Sequence, residues 1–123
     1  MKLADVITKV NLLKENSYGD DVIIDWCSDV DQSVAVNIMK LCVEDTPARY
    51  TSEFTGDLLV SKDQKDIFSR IYIEFCMAKL SQLDEDPVNY ANYMTLYNNT
   101  WKDYAKWYVR ISPARESKTI NVI

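Results

Sequence analysis

Residues that break regular backbone structure are scarce in this chain, and their scarcity limits the folds it can adopt. Two glycines and three prolines occur among 123 residues. Strand-rich folds need many tight turns, and these turns draw on glycine and proline for their special backbone angles. Long helices need neither residue in their interior. The sequence therefore predicts an all-α fold, a bundle of about four helices.

Apolar residues that recur every three or four positions place these helices along the chain. Ser17 or Gly19 is the expected cap of the second helix, and Ser61 with Gln64 resembles a capping box at the start of the third. The predicted ranges are about 3–14, about 20–43, from 61 to the turn LDEDP, and about 87–110. The third helix is apolar on two sides, so we expect it to be the most buried.

Aromatic residues dominate the fourth predicted helix, which Asp86 and Pro87 begin as cap and first residue. Such a series suits either a stacking platform for single-stranded nucleic acid or a packed helix seam. The acidic chain and the helical spacing favour the seam, with Trp107 off the stripe as a candidate subunit contact. The spaced aromatic residues are Tyr90, Tyr93, Tyr97, Trp101, Tyr104 and Tyr108.

Two segments lie outside the predicted helices. Residues 44–61 contain Pro47 and Gly56 and predict a long loop or a short β-hairpin, with strands near 50–54 and 57–60. Residues 113–123 predict an extended C-terminal tail after a helical domain at 1–112. The tail is expected either to fray or to add a strand to a partner, and its candidate partner-binding residues are Ile120, Val122 and Ile123.

The residue types present argue against most enzyme classes. The chain has no histidine, and its two distant glycines cannot build a phosphate-binding loop. Its three cysteines, Cys27, Cys42 and Cys76, lie at no metal-ligand spacing and are expected to be reduced core residues. We therefore predict a protein that is not an enzyme and holds no cofactor or metal. No apolar run reaches the length of a membrane span, and no signal peptide is expected.

Acidic residues cluster at the start of the second predicted helix, where five aspartates fall between positions 20 and 31. The order lacks the loop glycine and the final glutamate of an EF-hand, so a solvated helix face is favoured over a calcium site. The whole chain carries a net charge of −5. That charge argues against binding along a phosphate backbone.

The order of four stretches resembles a known family. These stretches are VIIDWCSDVDQSV, DLLVSKDQKDIF, IYIEFCMAKL and YNNTWKDYAKWYVR, within residues 5–110. They are similar to the small head–tail connector proteins of tailed bacteriophages, also called adaptor or head-completion proteins. The apolar third helix with its embedded Tyr72 and the aromatic last helix carry most of the likeness.

This resemblance implies a structural subunit of the virion neck, assembled in the bacterial cytoplasm. Such subunits form a homo-oligomeric ring, commonly of twelve copies, beneath the portal protein. The ring extends the DNA channel and docks the next neck, stopper or tail protein. DNA passes through it without sequence-specific binding, and the C-terminal segment often reaches toward the portal.

Two further hypotheses concern the acidic residues. In a connector ring, Asp25, Asp29 and Asp31 are candidates for a channel-facing wall that repels DNA and keeps it mobile. The alternative function is a small acidic intracellular helical regulator that binds a host or phage protein, with its negative face imitating nucleic acid.

Overall fold

The computed structural model describes residues 1–62 and 66–111 of the chain. No β-strand occurs in either range, and two short 3-10 turns, Val43–Asp45 and Leu59–Ser61, lie between the second and third helices. The predicted all-α bundle is confirmed. Its helices are α1 at Leu3–Leu13, α2 at Asp20–Asn37, α3 at Arg70–Leu83 and α4 at Pro87–Ile111.

Helix α3 is the central element of the bundle, as its two apolar faces predict. It packs against α1, α2 and, most extensively, α4. Tyr72 and Leu80 are fully buried on it, together with Ile71 and Ala78. Leu3, Val6 and Val10 from α1 and the buried side of α2 complete one core. Burial of this kind of apolar side chain contributes about 1.5–3 kcal/mol each, so α3 anchors the fold.

The start of α2 follows local backbone chemistry. Gly19 precedes the helix with a φ of +86°, a left-handed angle that glycine adopts without steric cost. Asp20 and Asp21 occupy the first turn, where the positive end of the helix dipole favours carboxylates. Gly19, rather than Ser17, is therefore the residue at the cap position.

Helix α2 ends at Asn37, earlier than the predicted boundary near Val43. Lys40 adopts a φ of +58°, and the Leu41 amide donates to the Ala35 carbonyl at 3.0 Å. This left-handed residue and its closing hydrogen bond stop the helix although apolar residues continue the helical pattern. No glycine marks this end of the helix, and for that reason the apolar pattern predicted a longer helix.

The predicted start of α3 near Ser61 is wrong. Of the two structures predicted for residues 44–61, the described residues form the long loop, with 3-10 turns, and not the β-hairpin. Helix α3 begins at Arg70, and Ser61 ends a 3-10 turn, where its hydroxyl lies 2.6 Å from that of Ser69. Gln64 lies outside the described residues. Between Tyr50 and Val60 no strand forms, because the backbone amides that a hairpin would pair are bound to other parts of the fold.

Helix α4 packs along α3 through the predicted aromatic seam. Tyr104 is only 2% exposed, and its ring lies 5.6 Å from that of Phe68. Tyr97 packs between Phe75 at 5.0 Å and Trp101 at 6.0 Å between ring centres. The core-packing interpretation of the stripe is confirmed. At the other end, the Asp86 carboxylate accepts a hydrogen bond from the Asn89 amide at 3.2 Å and caps the helix.

Polar contacts reinforce this seam. The buried Thr100 hydroxyl donates to the Glu74 carboxylate at 2.6 Å, and the Arg70 guanidinium donates to the Thr100 oxygen at 3.1 Å. Burial raises the pKa of Glu74, while Thr100 and Arg70 oppose that shift. These three residues join α3 to α4 at a fixed register.

The three cysteines do not share one environment. Cys27 and Cys76 are buried in the core, whereas Cys42 is exposed and lies outside the helices, which contradicts its predicted burial. A hydrogen bond with Cys76 raises the pKa of the Cys27 thiol, and burial adds to the shift. Little thiolate therefore forms at Cys27.

We expect Cys42 alone to react with a maleimide reagent in the folded protein, because thiolate and access are both needed for alkylation. Mass spectrometry after brief labelling should find one added group, located at Cys42. Labelling in denaturant should find three. Equal labelling of Cys27 and Cys42 without denaturant would contradict the described burial.

Candidate functional site: a buried aspartate and two open helix faces

Asp31 of α2 is a fully buried carboxylate with three hydrogen-bond donors. Its Oδ1 accepts from the Tyr72 hydroxyl at 2.5 Å. Its Oδ2 accepts from the Tyr50 hydroxyl at 2.5 Å and from the Leu59 amide at 3.0 Å. Three donors to one carboxylate satisfy most of its acceptor positions, which makes burial of this group tolerable.

The segment between α2 and α3 is fastened to the helices through this cluster. Three successive amides are held by three different partners: Leu58 by the Met1 carbonyl at 3.0 Å, Leu59 by Asp31, and Val60 by the Tyr72 hydroxyl at 2.8 Å. The cluster thus replaces the backbone pairing that a hairpin would have supplied.

Burial sets the protonation of this cluster. It raises the pKa of Asp31, although the hydrogen bonds from Tyr50 and Tyr72 act in the opposite direction. Burial and the nearby carboxylate raise the pKa of both tyrosines, so both remain phenols. Because Asp31 and Tyr72 have no solvent exposure, a substrate cannot reach them in this conformation. The cluster holds the connecting segment against α2 and α3.

The channel-facing hypothesis is wrong for Asp31, since a carboxylate with 0% exposure cannot line a channel. Asp25 and Asp29 do lie on the surface, where Arg49 pairs with them at 3.6 and 3.0 Å. Arg49 compensates part of their charge. That Asp25 and Asp29 face a DNA channel stays a prediction.

Sequence reasoning missed the role of Asp31, although one signal was present. Ile24, Cys27, Asp31 and Val34 follow steps of three and four, and all four are buried on α2. A polar residue inside such a series predicts a satisfied buried group. Val22 and Trp26, two further apolar residues of α2, are only half-buried and lie at the edge of this buried face.

Helix α2 carries an exposed acidic ridge, which we define as Asp21, Asp25 and Asp29. The three residues are spaced by four positions and all are exposed. One turn of helix separates neighbours, so they lie along one side of α2. No lysine or arginine occurs in α2 itself. Half-buried Trp26 lies beside this ridge.

Helix α4 carries an exposed basic ridge, which we define as Lys102, Lys106 and Arg110. These residues have the same spacing of four and are also exposed. Within the described ranges, no salt bridge joins any of the three to another residue. A cleft of about 590 Å³ is bordered by Lys106 and Arg110 together with Ala105 and Val109. This end of α4 therefore combines positive charge with apolar surface.

The predicted partner-binding residues divide into two groups. Trp107 is half-buried, and its ring lies 5.8 Å from Phe68 and 5.6 Å from Tyr104. It contributes to this chain's own core and leaves part of its surface open. The predicted contacts of Ile120, Val122 and Ile123 fall outside the described residues.

Residues 1–62 and 66–111 show neither a metal-binding group of side chains nor a membrane-spanning helix. No group of three or more cysteine, aspartate or glutamate side chains there is arranged to hold a metal ion. None of the helices there combines the length and the apolar character that a membrane span requires.

Comparisons with protein-family models, with curated proteins and with solved structures found no match to the chain.

Proposed function

We propose that this chain is a structural subunit of a bacteriophage head–tail connector, which acts by binding rather than by catalysis. In this function, copies form a ring beneath the portal, extend the DNA channel and dock the next neck or tail component. The proposal rests on the resemblance of four sequence stretches and on one observation, the one-sided packing of α4.

Helix α4 is the longest helix described, and most of the residues that it packs on α3 are only half-buried. Of its 25 residues only Thr100 and Tyr104 are fully buried. Its exposed large apolar residues are Val88, Leu96, Val109 and Ile111, with 45–68% of each surface open. A helix that packs on one side and carries exposed apolar groups is typical of a protein that contacts a partner. A connector subunit needs such contacts with its neighbours.

Charge supports passage of DNA rather than its capture. The chain carries a net charge of −5. A ring of such subunits repels phosphates on average, whereas tight binding of DNA requires clustered lysine and arginine. The basic ridge is short and is adjoined by Asp103, which pairs with Arg70 at 3.8 Å.

A regulator of another protein is the second candidate, favoured by the acidic ridge. Regularly spaced carboxylates on an exposed helix can occupy a basic surface on a partner. In that case the protein would be captured by a cellular protein and would not enter particles.

The decisive experiment locates the protein in phage particles. An antibody raised against this chain, marked with gold, should bind at one position per particle, where head and tail meet. An antibody against the major capsid protein serves as the control and should decorate the whole head. Purified particles that lack the chain, or that carry it elsewhere, would refute the connector function.

A further inference from the structure

We propose that the basic ridge of α4 binds the acidic ridge of α2 in a second copy of this chain, so that copies associate head to tail. The inference deepens the proposed function by naming the contact between neighbouring subunits. It rests on that function only for the closure of the ring, since the contact itself is argued from the two helix faces.

The two ridges have the same residue spacing and opposite charges. Both have charges at steps of four residues, and four residues advance a helix by about 6 Å. Three carboxylates on α2 therefore repeat at the same interval as three cations on α4. Such a match allows successive ion pairs along one helix–helix contact.

Neither ridge is fully paired with opposite charges within the part of the chain that the structure describes. The members of the basic ridge form no salt bridge within the described residues. On the acidic ridge, Asp21 likewise has none there, while Arg49 compensates part of the charge of Asp25 and Asp29. The acidic ridge keeps a net negative charge, because the single guanidinium of Arg49 offsets only one of its three negative charges.

The two ridges do not pair within one subunit. Helices α2 and α4 each pack against α3, and they are not among the helix pairs that pack extensively on one another. Among residues 1–62 and 66–111, neither ridge therefore meets its complement in the same subunit. The chain itself supplies the complementary surface, so a second copy is the occupant that the charges favour.

Exposed ion pairs alone give weak association, because water and salt screen them. Apolar groups beside each ridge supply the rest. Val109 is 45% exposed next to the cleft on α4, and half-buried Trp26 adjoins the acidic ridge on α2. A tryptophan placed between Lys106 and Arg110 gains both apolar burial and cation–π contact.

The contact joins two different surfaces, so it is heterologous. Each copy that binds through its α4 still offers a free α2, and growth continues until a ring closes or a filament forms. This assignment competes with the channel-wall hypothesis for Asp25 and Asp29. If Asp25 and Asp29 line the channel, reversing their charge should leave assembly unchanged. If they lie in the subunit contact, the same reversal should abolish assembly.

The first test exchanges the charges. The variant K102E/K106E/R110E and the variant D21K/D25K/D29K are each expected to associate at least about a hundredfold more weakly than the natural chain, since like charges would meet. An equimolar mixture should regain the association, because each variant then offers the surface that the other lacks. Sedimentation velocity over a concentration series, at low and high salt, gives the masses.

A matched control reverses charges away from both ridges. The variant E15K/E44K/D45K changes the net charge as much as the α2 variant does, and its three positions are exposed with no salt bridge in the described residues. It should assemble like the natural chain. Circular dichroism verifies that each variant folds, which matters for D21K/D25K/D29K because Arg49 loses its two carboxylate partners there.

Three outcomes would overturn the proposal: a natural chain that stays monomeric at every concentration, a mass that stops at the dimer, or a mixture of variants that does not regain association. These measurements use the purified chain without portal or phage. If the purified chain does not associate as expected but gold still marks the neck, the connector function stands and its subunits must meet through a different surface. If the measurements succeed while particles lack the chain, the contact stands and the connector function falls.

Zero-length cross-linking with a carbodiimide identifies the occupant directly. This reagent joins a carboxylate to an amine with loss of water, so it should link Asp25 or Asp29 to Lys102 or Lys106. In a mixture of nitrogen-14 and nitrogen-15 chains, these links should join light to heavy peptides. Links within one chain from Glu116 to Lys106 instead would show that the protein's own tail covers the ridge, and would refute the proposal.

Discussion

Replacing Asp31 with alanine is expected to lower the free energy of unfolding by about 3 kcal/mol, since the change leaves two phenols and one amide without their acceptor. These donors are Tyr50, Tyr72 and the backbone of Leu59. Relief from burying a charge offsets part of the loss. Urea denaturation followed by circular dichroism measures the effect.

The variant Asp31→Asn separates shape from hydrogen bonding. The asparagine side chain has the same shape, but its amide nitrogen is a donor where the aspartate has an accepting oxygen. That nitrogen would face another donor, the Leu59 amide or a tyrosine hydroxyl, so we expect the substitution to destabilise the fold. Asp25→Ala on the same helix is the matched control and should leave the urea midpoint nearly unchanged. A loss below about 0.5 kcal/mol for Asp31→Ala, as at ordinary surface sites, would contradict the anchoring role.

The stability difference between the natural chain and Asp31→Asn is expected to depend on pH. Burial raises the pKa of Asp31 in the folded state above its value in the unfolded chain. The folded state therefore holds the proton more tightly, and the contribution is complete below the unfolded pKa and falls as pH rises through the folded pKa. The penalty of the substitution should be larger in mild acid than at neutral pH.

Replacing Tyr104 with alanine is the second large effect, with an expected loss of about 3–5 kcal/mol. Tyr104 is 2% exposed and lies between Phe68, Trp107 and Tyr108. Its removal opens a cavity where α4 passes beyond the start of α3. Thermal unfolding should show a lower midpoint, and hydrogen exchange should rise first in the C-terminal half of α4.

Val88→Ala provides a control on the same helix, because Val88 is 68% exposed. It should leave both the midpoint and the exchange pattern nearly unchanged. If Tyr104→Ala and Val88→Ala behave alike, the aromatic residues do not hold α4 to α3, and the assignment of the stripe to core packing fails.

The spacing of apolar residues predicted the helix boundaries that depend on neighbouring residues in the sequence. The starts of α2 and α4 were predictable because Gly19 and Asp86 have clear local roles. The end of α2 was not, because Lys40 adopts its left-handed angle without the glycine that usually marks it.

The connection between α2 and α3 escaped prediction for a different reason. A short β-hairpin was one of the two structures predicted for it, but the amides of Leu58, Leu59 and Val60 are held by distant groups. Such long-range partners leave no local signal in a sequence. The basic ridge was visible as Lys102, Lys106 and Arg110, yet its meaning depends on the acidic ridge of another helix.

Assembly on the portal tests the central claim most directly. Native mass spectrometry of the chain, with and without the portal protein of the same phage, measures how many copies bind. The connector account predicts a closed ring of copies attached to the portal ring. A chain that stays unbound when mixed with that portal, or that binds it as isolated single copies, would contradict the account.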